Sequence, residues 1–225
     1  MNMRTITMAA ALLFFASSLY AADAVTLKTQ KEKLSYIIGV QTANDLKRQS
    51  IDVDPAIVSK GLQDSILGNK LLISDQEAKD FIAAYQKERA EARKKLGEKN
   101  KQEGTAFLAE NKKKEGVKTL PSGLQYKVIK EGTGKIPKAS DTVVTQYRGT
   151  FINGTEFASS YQTNEPATFP VNGVMPGWAE ALQLMKEGSK WQLVVPPELA
   201  YGEQGAGPIG PNATLVIEVE LVAVK

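Results

Sequence analysis

The chain has 225 residues, 42% of them hydrophobic and 24% charged, the make-up of an ordinary globular protein of one or two domains. Its formal charge of +3 is mild and its basic residues are dispersed, so nothing points to nucleic acid as a partner. It has no cysteine and no histidine, which excludes disulfides, thiolate nucleophiles, the usual zinc sites and every histidine-dependent catalytic arrangement.

Arg4, an apolar run over 6–19 and the small residues Ala21 and Ala22 follow the pattern of a secretory signal peptide, 1–22. The Ala22-Asp23-Ala24 triplet offers a later cleavage site. The apolar run is too short to span a bilayer, so the expectation is an exported, soluble protein with no membrane span. No cysteine follows the run to carry a lipid.

Residues 23–73 read as helical. Leu27, Leu34, Ile37 and Ile38 can share one face of a first helix. Asp54-Pro55 is an N-cap followed by a first-turn proline, opening a second helix with Ile57, Val58, Leu62, Ile66 and Leu67 inward and Gly68 as its stop. These helices carry more apolar residues than they can hide from each other, which argues for a partner, most simply a second copy. Ser74 and Glu77 form a capping box that starts a third helix over 74–117, apolar at Phe81, Ile82 and Tyr85 and then almost wholly charged. Such a segment fits a solvated helix holding two modules apart, or else a flexible charged linker. Gly97 and Gly104 are expected weak points, each costing about 1 kcal/mol against alanine.

At about Gly116 the composition changes. Pro121-Ser122-Gly123 is a turn, after which Leu124, Tyr126 and Val128 alternate as a strand. Gly132-Thr133-Gly134-Lys135 lacks the spacing of a phosphate loop and is set aside. A strand over 142–150 meets one containing Glu156, Phe157 and Ala158 through the hairpin signal Asn153-Gly154. A short strand over 167–171 bears Phe169. A helix of about three turns then opens at Pro176, with Trp178, Leu182 and Met185 as its apolar stripe and Lys186-Glu187-Gly188 as its end. A strand over 191–195, a proline- and glycine-rich loop over 196–211 and a last strand over 213–224 complete the chain. The expected class is α+β: an all-helical N-terminal part, then a bent antiparallel sheet wrapped around one short helix.

The stretches YRGTFINGTEF (147–157), VMPGWAEALQLM (174–185), VPPELAYGEQG (195–205) and GPNATLVIEVELVAVK (210–225) resemble the FKBP family of peptidyl-prolyl isomerases over 118–225. The helical half is similar to that of the macrophage infectivity potentiator type, exported dimeric members from Gram-negative bacteria. The resemblance implies a homodimer through the N-terminal helices and a periplasmic location, with peripheral attachment to the outer membrane or surface as the alternative. It implies no cofactor and no metal. Its clients would be unfolded or proline-containing polypeptides.

The same resemblance places Trp178 as the floor of a proline pocket, Tyr147, Phe157, Phe169 and Tyr201 as aromatic walls, and Val174, Met175 and Ile209 as the remaining lining. It assigns the Met175 amide and the Tyr201 hydroxyl as donors to substrate carbonyls. Ile217 stands where many members have phenylalanine, and Ala158 stands where the family typically has aspartate. The second departure implies weakened isomerisation and weakened binding of macrolides such as rapamycin. The alternative function is a chaperone that holds clients in the groove with little turnover. Either way the absent histidine is no obstacle, because rotation about an X-Pro bond breaks no bond and moves no proton.

Overall fold

A computed structural model describes residues 26–49, 51–162 and 165–225. The signal-peptide segment lies outside the described residues. Helix α1 (Gln30–Arg48) is opened by a capping box that the sequence reading missed. Thr29 Oγ1 accepts from the Glu32 amide, while the Glu32 carboxylate accepts from the Thr29 and Lys28 amides. Those amides, Thr29 first, hold the Glu32 carboxyl below its ordinary range.

Helix α2 (Pro55–Leu67) starts as the sequence predicts, with Asp54 Oδ1 accepting from the Ala56 and Ile57 amides. It stops at Gly68, whose left-handed φ of 68° suits a residue without Cβ. Inside α2, Asp64 is buried beneath the Lys60 ammonium and the Asn69 amide, and the Lys60 contact above all holds its carboxyl below the usual value.

Helix α3 (Asp75–Asn111) begins at Ser74, whose Oγ accepts from the Glu77 amide. Its 37 residues run without interruption, about 55 Å at 1.5 Å per residue, so the linker alternative does not hold. Its second half also departs from the solvated spacer expected. Asn111 Nδ2 donates to Gln125 Oε1 (2.9 Å), Gln125 Nε2 donates to the Leu108 carbonyl (2.9 Å), and Asn100 Nδ2 donates to the Pro211 carbonyl (2.8 Å). Gly97 and Gly104 are buried. A Cβ at 97 would lie 3.3 Å from Pro211, and one at 104 would fall on the Thr214 side chain. The glycines are close-approach points where the helix seats on the sheet domain, and the alanine penalty is offset by that packing.

The rest is one antiparallel sheet. Its strands are β1 (Val117–Thr119), β2 (Gln125–Lys130), β3 (Thr142–Phe151), β4 (Glu156–Ser159), β5 (Ala167–Pro170), β6 (Lys190–Val195) and β7 (Leu215–Val224). The order is β1-β2-β6-β7-β3-β4, with β5 also paired to β3. The hairpin joining β3 to β4 turns at Asn153-Gly154, where Asn153 Oδ1 accepts from the Thr155 amide. In β7 Leu215, Ile217, Val219 and Leu221 alternate inward, as a half-buried strand requires. They meet Leu193 and Val195 of β6 and the buried side of helix α4 (Pro176–Leu182). That helix has seven residues rather than the three turns predicted. The chain leaves it at Gln183, but Met185 still caps back to the Ala181 carbonyl and is fully buried, so the apolar stripe outlasts the helix.

Candidate functional site: an aromatic pocket

Helix α4 and strands β3 and β5 bring three rings together. The centroids of Tyr147 and Trp178 are 5.2 Å apart, those of Phe169 and Trp178 5.4 Å, and those of Tyr147 and Phe169 5.9 Å. The planes are inclined by 56–64°, the tilted arrangement that ring quadrupoles prefer. Pro176 fixes the first turn of α4 and so aims Trp178 inward, where only 6% of it is exposed. The indole Nε1 is buried without a protein acceptor among the described residues. Tyr147 is held through its backbone, its amide donating to Ser160 Oγ at 2.9 Å.

A cavity of about 400 Å³ opens above these rings, walled in addition by Phe157, Ala158, Val174, Met175, Tyr201 and Ile217. Two neighbouring residues of one strand, Phe157 and Ala158, both reach it because the register between β3 and β4 slips at this point. Gly149 pairs with Ala158 and Thr150 with Glu156, leaving Phe157 as the extra residue of a bulge. Gly149 makes the bulge possible, since a Cβ there would stand 2.6 Å from the Phe157 ring. Gly149 and Gly173 also line the cavity and were not singled out in the sequence. Their only signal is proximity to the aromatic motifs.

Ile209 is not among the walls, contrary to expectation. A paired turn with Ala206 (Ile209 N to Ala206 O, 2.9 Å) directs it to the body of the protein and to a second cavity beside α3. No charged side chain among the described residues lines the aromatic pocket. Met175, the N-cap of α4, offers its carbonyl to the Trp178 and Ala179 amides at 3.0 Å, while its own amide has no acceptor among the described hydrogen bonds. Tyr201 stands at the rim, 38% exposed. No cluster able to hold a metal occurs among the described residues. The arrangement is an apolar hollow lined by rings, with Met175 and Tyr201 among its walls.

Comparison with known proteins gives the class to which this sheet and its one helix belong. Residues 133–222 match the FKBP-type peptidyl-prolyl cis-trans isomerase family, and residues 31–128 match the domain amino-terminal to it. The outer membrane protein MIP of Legionella longbeachae is 46% identical over 230 residues, covering 100% of this chain and 99% of that one. The peptidyl-prolyl cis-trans isomerase Mip of Coxiella burnetii is 44% identical, covering 91% of each. The crystal structure of FkpA from Escherichia coli superposes with a TM-score of 0.62 at 40% identity, over 89% of this chain and 99% of that one. The chain belongs to the FKBP-type peptidyl-prolyl cis-trans isomerases.

Proposed function

We propose that the hollow above Trp178 holds a prolyl side chain while the peptide bond preceding it rotates. Supporting this reading is one observation: three inclined rings floor a cavity of about 400 Å³ with no charged group in its walls among the described residues. That volume falls within the range of about 300–1,000 Å³ usual for small-molecule sites. The barrier to rotation is amide resonance, about 18–20 kcal/mol. The planar amide is charge-separated and the twisted one less so, so a water-poor apolar wall favours the twisted form. Trp178 and Phe169 hold the ring, Tyr147, Phe157, Val174 and Ile217 exclude water, and the Met175 amide and Tyr201 hydroxyl donate to the flanking carbonyls.

Ala158 weakens this site. An aspartate at this wall position would place a charged acceptor in the pocket, and such a hydrogen bond contributes about 1.5–3 kcal/mol. Ala158→Asp is therefore expected to raise kcat/KM for a proline-containing peptide about 10- to 100-fold and to tighten rapamycin binding. A protease-free isomerisation assay, with and without rapamycin, measures both. An unchanged rate in the substituted protein would remove this account of Ala158.

The domain division we propose is a helical dimerisation region over 23–73, the connecting helix over 74–117 and the isomerase domain over 118–225. Helix α3 (Asp75–Asn111) supports the second of these, and β1 already begins at Val117. Exposed Ile57, Ile66, Leu67 and Leu72 support assembly of two chains through the helices. The relative from Legionella longbeachae is named as an outer membrane protein, and the leader-like N-terminus supports export of this chain too, to the periplasm, where its clients would be unfolded proline-containing chains. No helix among the described residues is long and apolar enough to cross a membrane. The same exposed apolar residues favour a second reading, client holding without turnover. Aggregation suppression that survives Trp178→Ala, with isomerisation lost, would establish it.

A further inference from the structure

We infer that helix α3 forms part of the isomerase site from outside it, with Arg93 and Asn100 acting as positioning residues for Tyr201. The inference rests on the pocket reading above and concerns what holds the pocket's rim. Tyr201 sits at the start of the long connection between β6 and β7. Within it, the Gly205 amide donates to the Tyr201 carbonyl (3.0 Å) and the Asn212 amide to the Gly202 carbonyl (2.9 Å), so residues 201–212 form a closed loop. In its middle Ile209 is anchored in the hydrophobic core, while Gln204 and residues 206–208 are exposed. A cavity of about 650 Å³ lies between residues 204–211 and α3.

Among the described hydrogen bonds, every one that ties residues 201–212 to the rest of the chain ends on α3. The Arg93 guanidinium donates to the Gln204 carbonyl, Asn100 Nδ2 donates to the Pro211 carbonyl at 2.8 Å, and Asn212 Nδ2 reaches the Gly97 carbonyl at 3.5 Å. The two stronger stitches grip opposite limbs of the loop. One lies three residues after Tyr201. The other lies beside Asn212, a residue held at φ 53° whose amide closes the loop back onto Gly202. Asparagine tolerates that left-handed backbone only at some cost, so the conformation depends on these bonds. With the stitches cut, the open space beneath the loop would let its limbs spread, and the Tyr201 hydroxyl would lose its place over the pocket. The helix then has a second task besides connection: it sets the geometry of the rim.

The test is a set of variants in the full-length protein, assayed for peptide isomerisation with kcat and KM resolved. Arg93→Ala with Asn100→Ala is expected to lower kcat/KM about threefold to tenfold, chiefly through KM, the effect of losing one modest hydrogen bond to substrate. Tyr201→Phe alone should cost a similar factor. Adding the two alanines to Tyr201→Phe should cost nothing further, because their action passes through the missing hydroxyl. Arg93→Lys, which keeps a donor, should restore most of the rate. A merely structural role would lower the melting temperature while leaving kcat/KM unchanged, or would add its loss to that of Tyr201→Phe, and either result overturns the inference. If the double alanine variant fails to fold, Arg93→Gln and Asn100→Ser taken singly are read by the same criteria. Trp178→Ala runs alongside: a wild type indifferent to it would remove the pocket reading and this inference together, whereas a sensitive wild type with insensitive loop variants would remove this inference alone.

Discussion

The sheet domain and the helices before it are built from the same apolar residue types and treat them in opposite ways. Leu182, Leu193 and Leu221 are fully buried in one core, while Ile66 and Leu72 remain 80% and 82% exposed. In the first region α4 and the sheet close over their own apolar surface. In the second, the described chain supplies no such cover. Hydrophobic content therefore does not distinguish a core from a docking face; what distinguishes them is whether the chain folds back over its own apolar side chains. Helix α3 shows both outcomes in one element: Phe81 and Ile82 are exposed near its start, and Gly97, Gly104 and Asn111 are buried near its end.

The largest effect should come from emptying the self-covered core at its functional edge. Trp178→Ala is expected to abolish measurable isomerisation and to cost about 3–5 kcal/mol in denaturant unfolding, the usual penalty for truncating a buried large ring. Next, Gly104→Val should destabilise by about 1–3 kcal/mol, because the new side chain must displace Thr214 where helix and sheet meet. An unchanged unfolding midpoint would show that the second half of α3 is not docked in solution. Ile66→Glu should leave short-peptide isomerisation unaltered, since an exposed substitution shifts chain stability by only about 0.5 kcal/mol. It should halve the mass seen by sedimentation, and an unaltered mass would break the proposed dimer.

The smallest effect concerns Asp64. Its carboxyl is held below the ordinary value of 3.8 in the folded chain, so its bonds to Lys60 and Asn69 contribute fully at neutral pH. As the pH falls below 3.8 the unfolded chain takes up the proton first, and the contribution disappears as the folded group titrates in turn. Asp64→Asn should lower the melting temperature slightly at pH 7, and the difference should vanish in strong acid.

Much of this was legible from the residues. Asp54-Pro55 and Gly68 bound a helix because a capping carboxylate, a proline and a left-handed glycine are local chemistry. Trp178, Tyr147, Phe157 and Phe169 stood out because large rings at motif spacing are rare enough to notice, and the structure gathers them around one cavity with every other residue expected there except Ile209. Ile209 was misplaced because a turn, not a strand, sets its direction, and turns carry no apolar period. The seat of α3 was missed for a related reason. Gly97, Asn100, Gly104 and Asn111 recur at three-, four- and seven-residue intervals, but they are small or polar, and a hydrophobicity reading passes over a stripe whose purpose is close approach. The early end of α4 was missed because burial of Met185 continues the stripe after the backbone has left the helix.

The bulge between β3 and β4 has a bearing on how such a protein can diversify. Because Phe157 is the surplus residue there and strand pairing is carried by main-chain groups on either side, the side chain at 158 takes no part in register. Its identity can change without disturbing how the sheet assembles. Given the role proposed above for position 158, turnover could drift through a single codon, and a lineage could trade speed for another use of the same cleft without first rebuilding the scaffold.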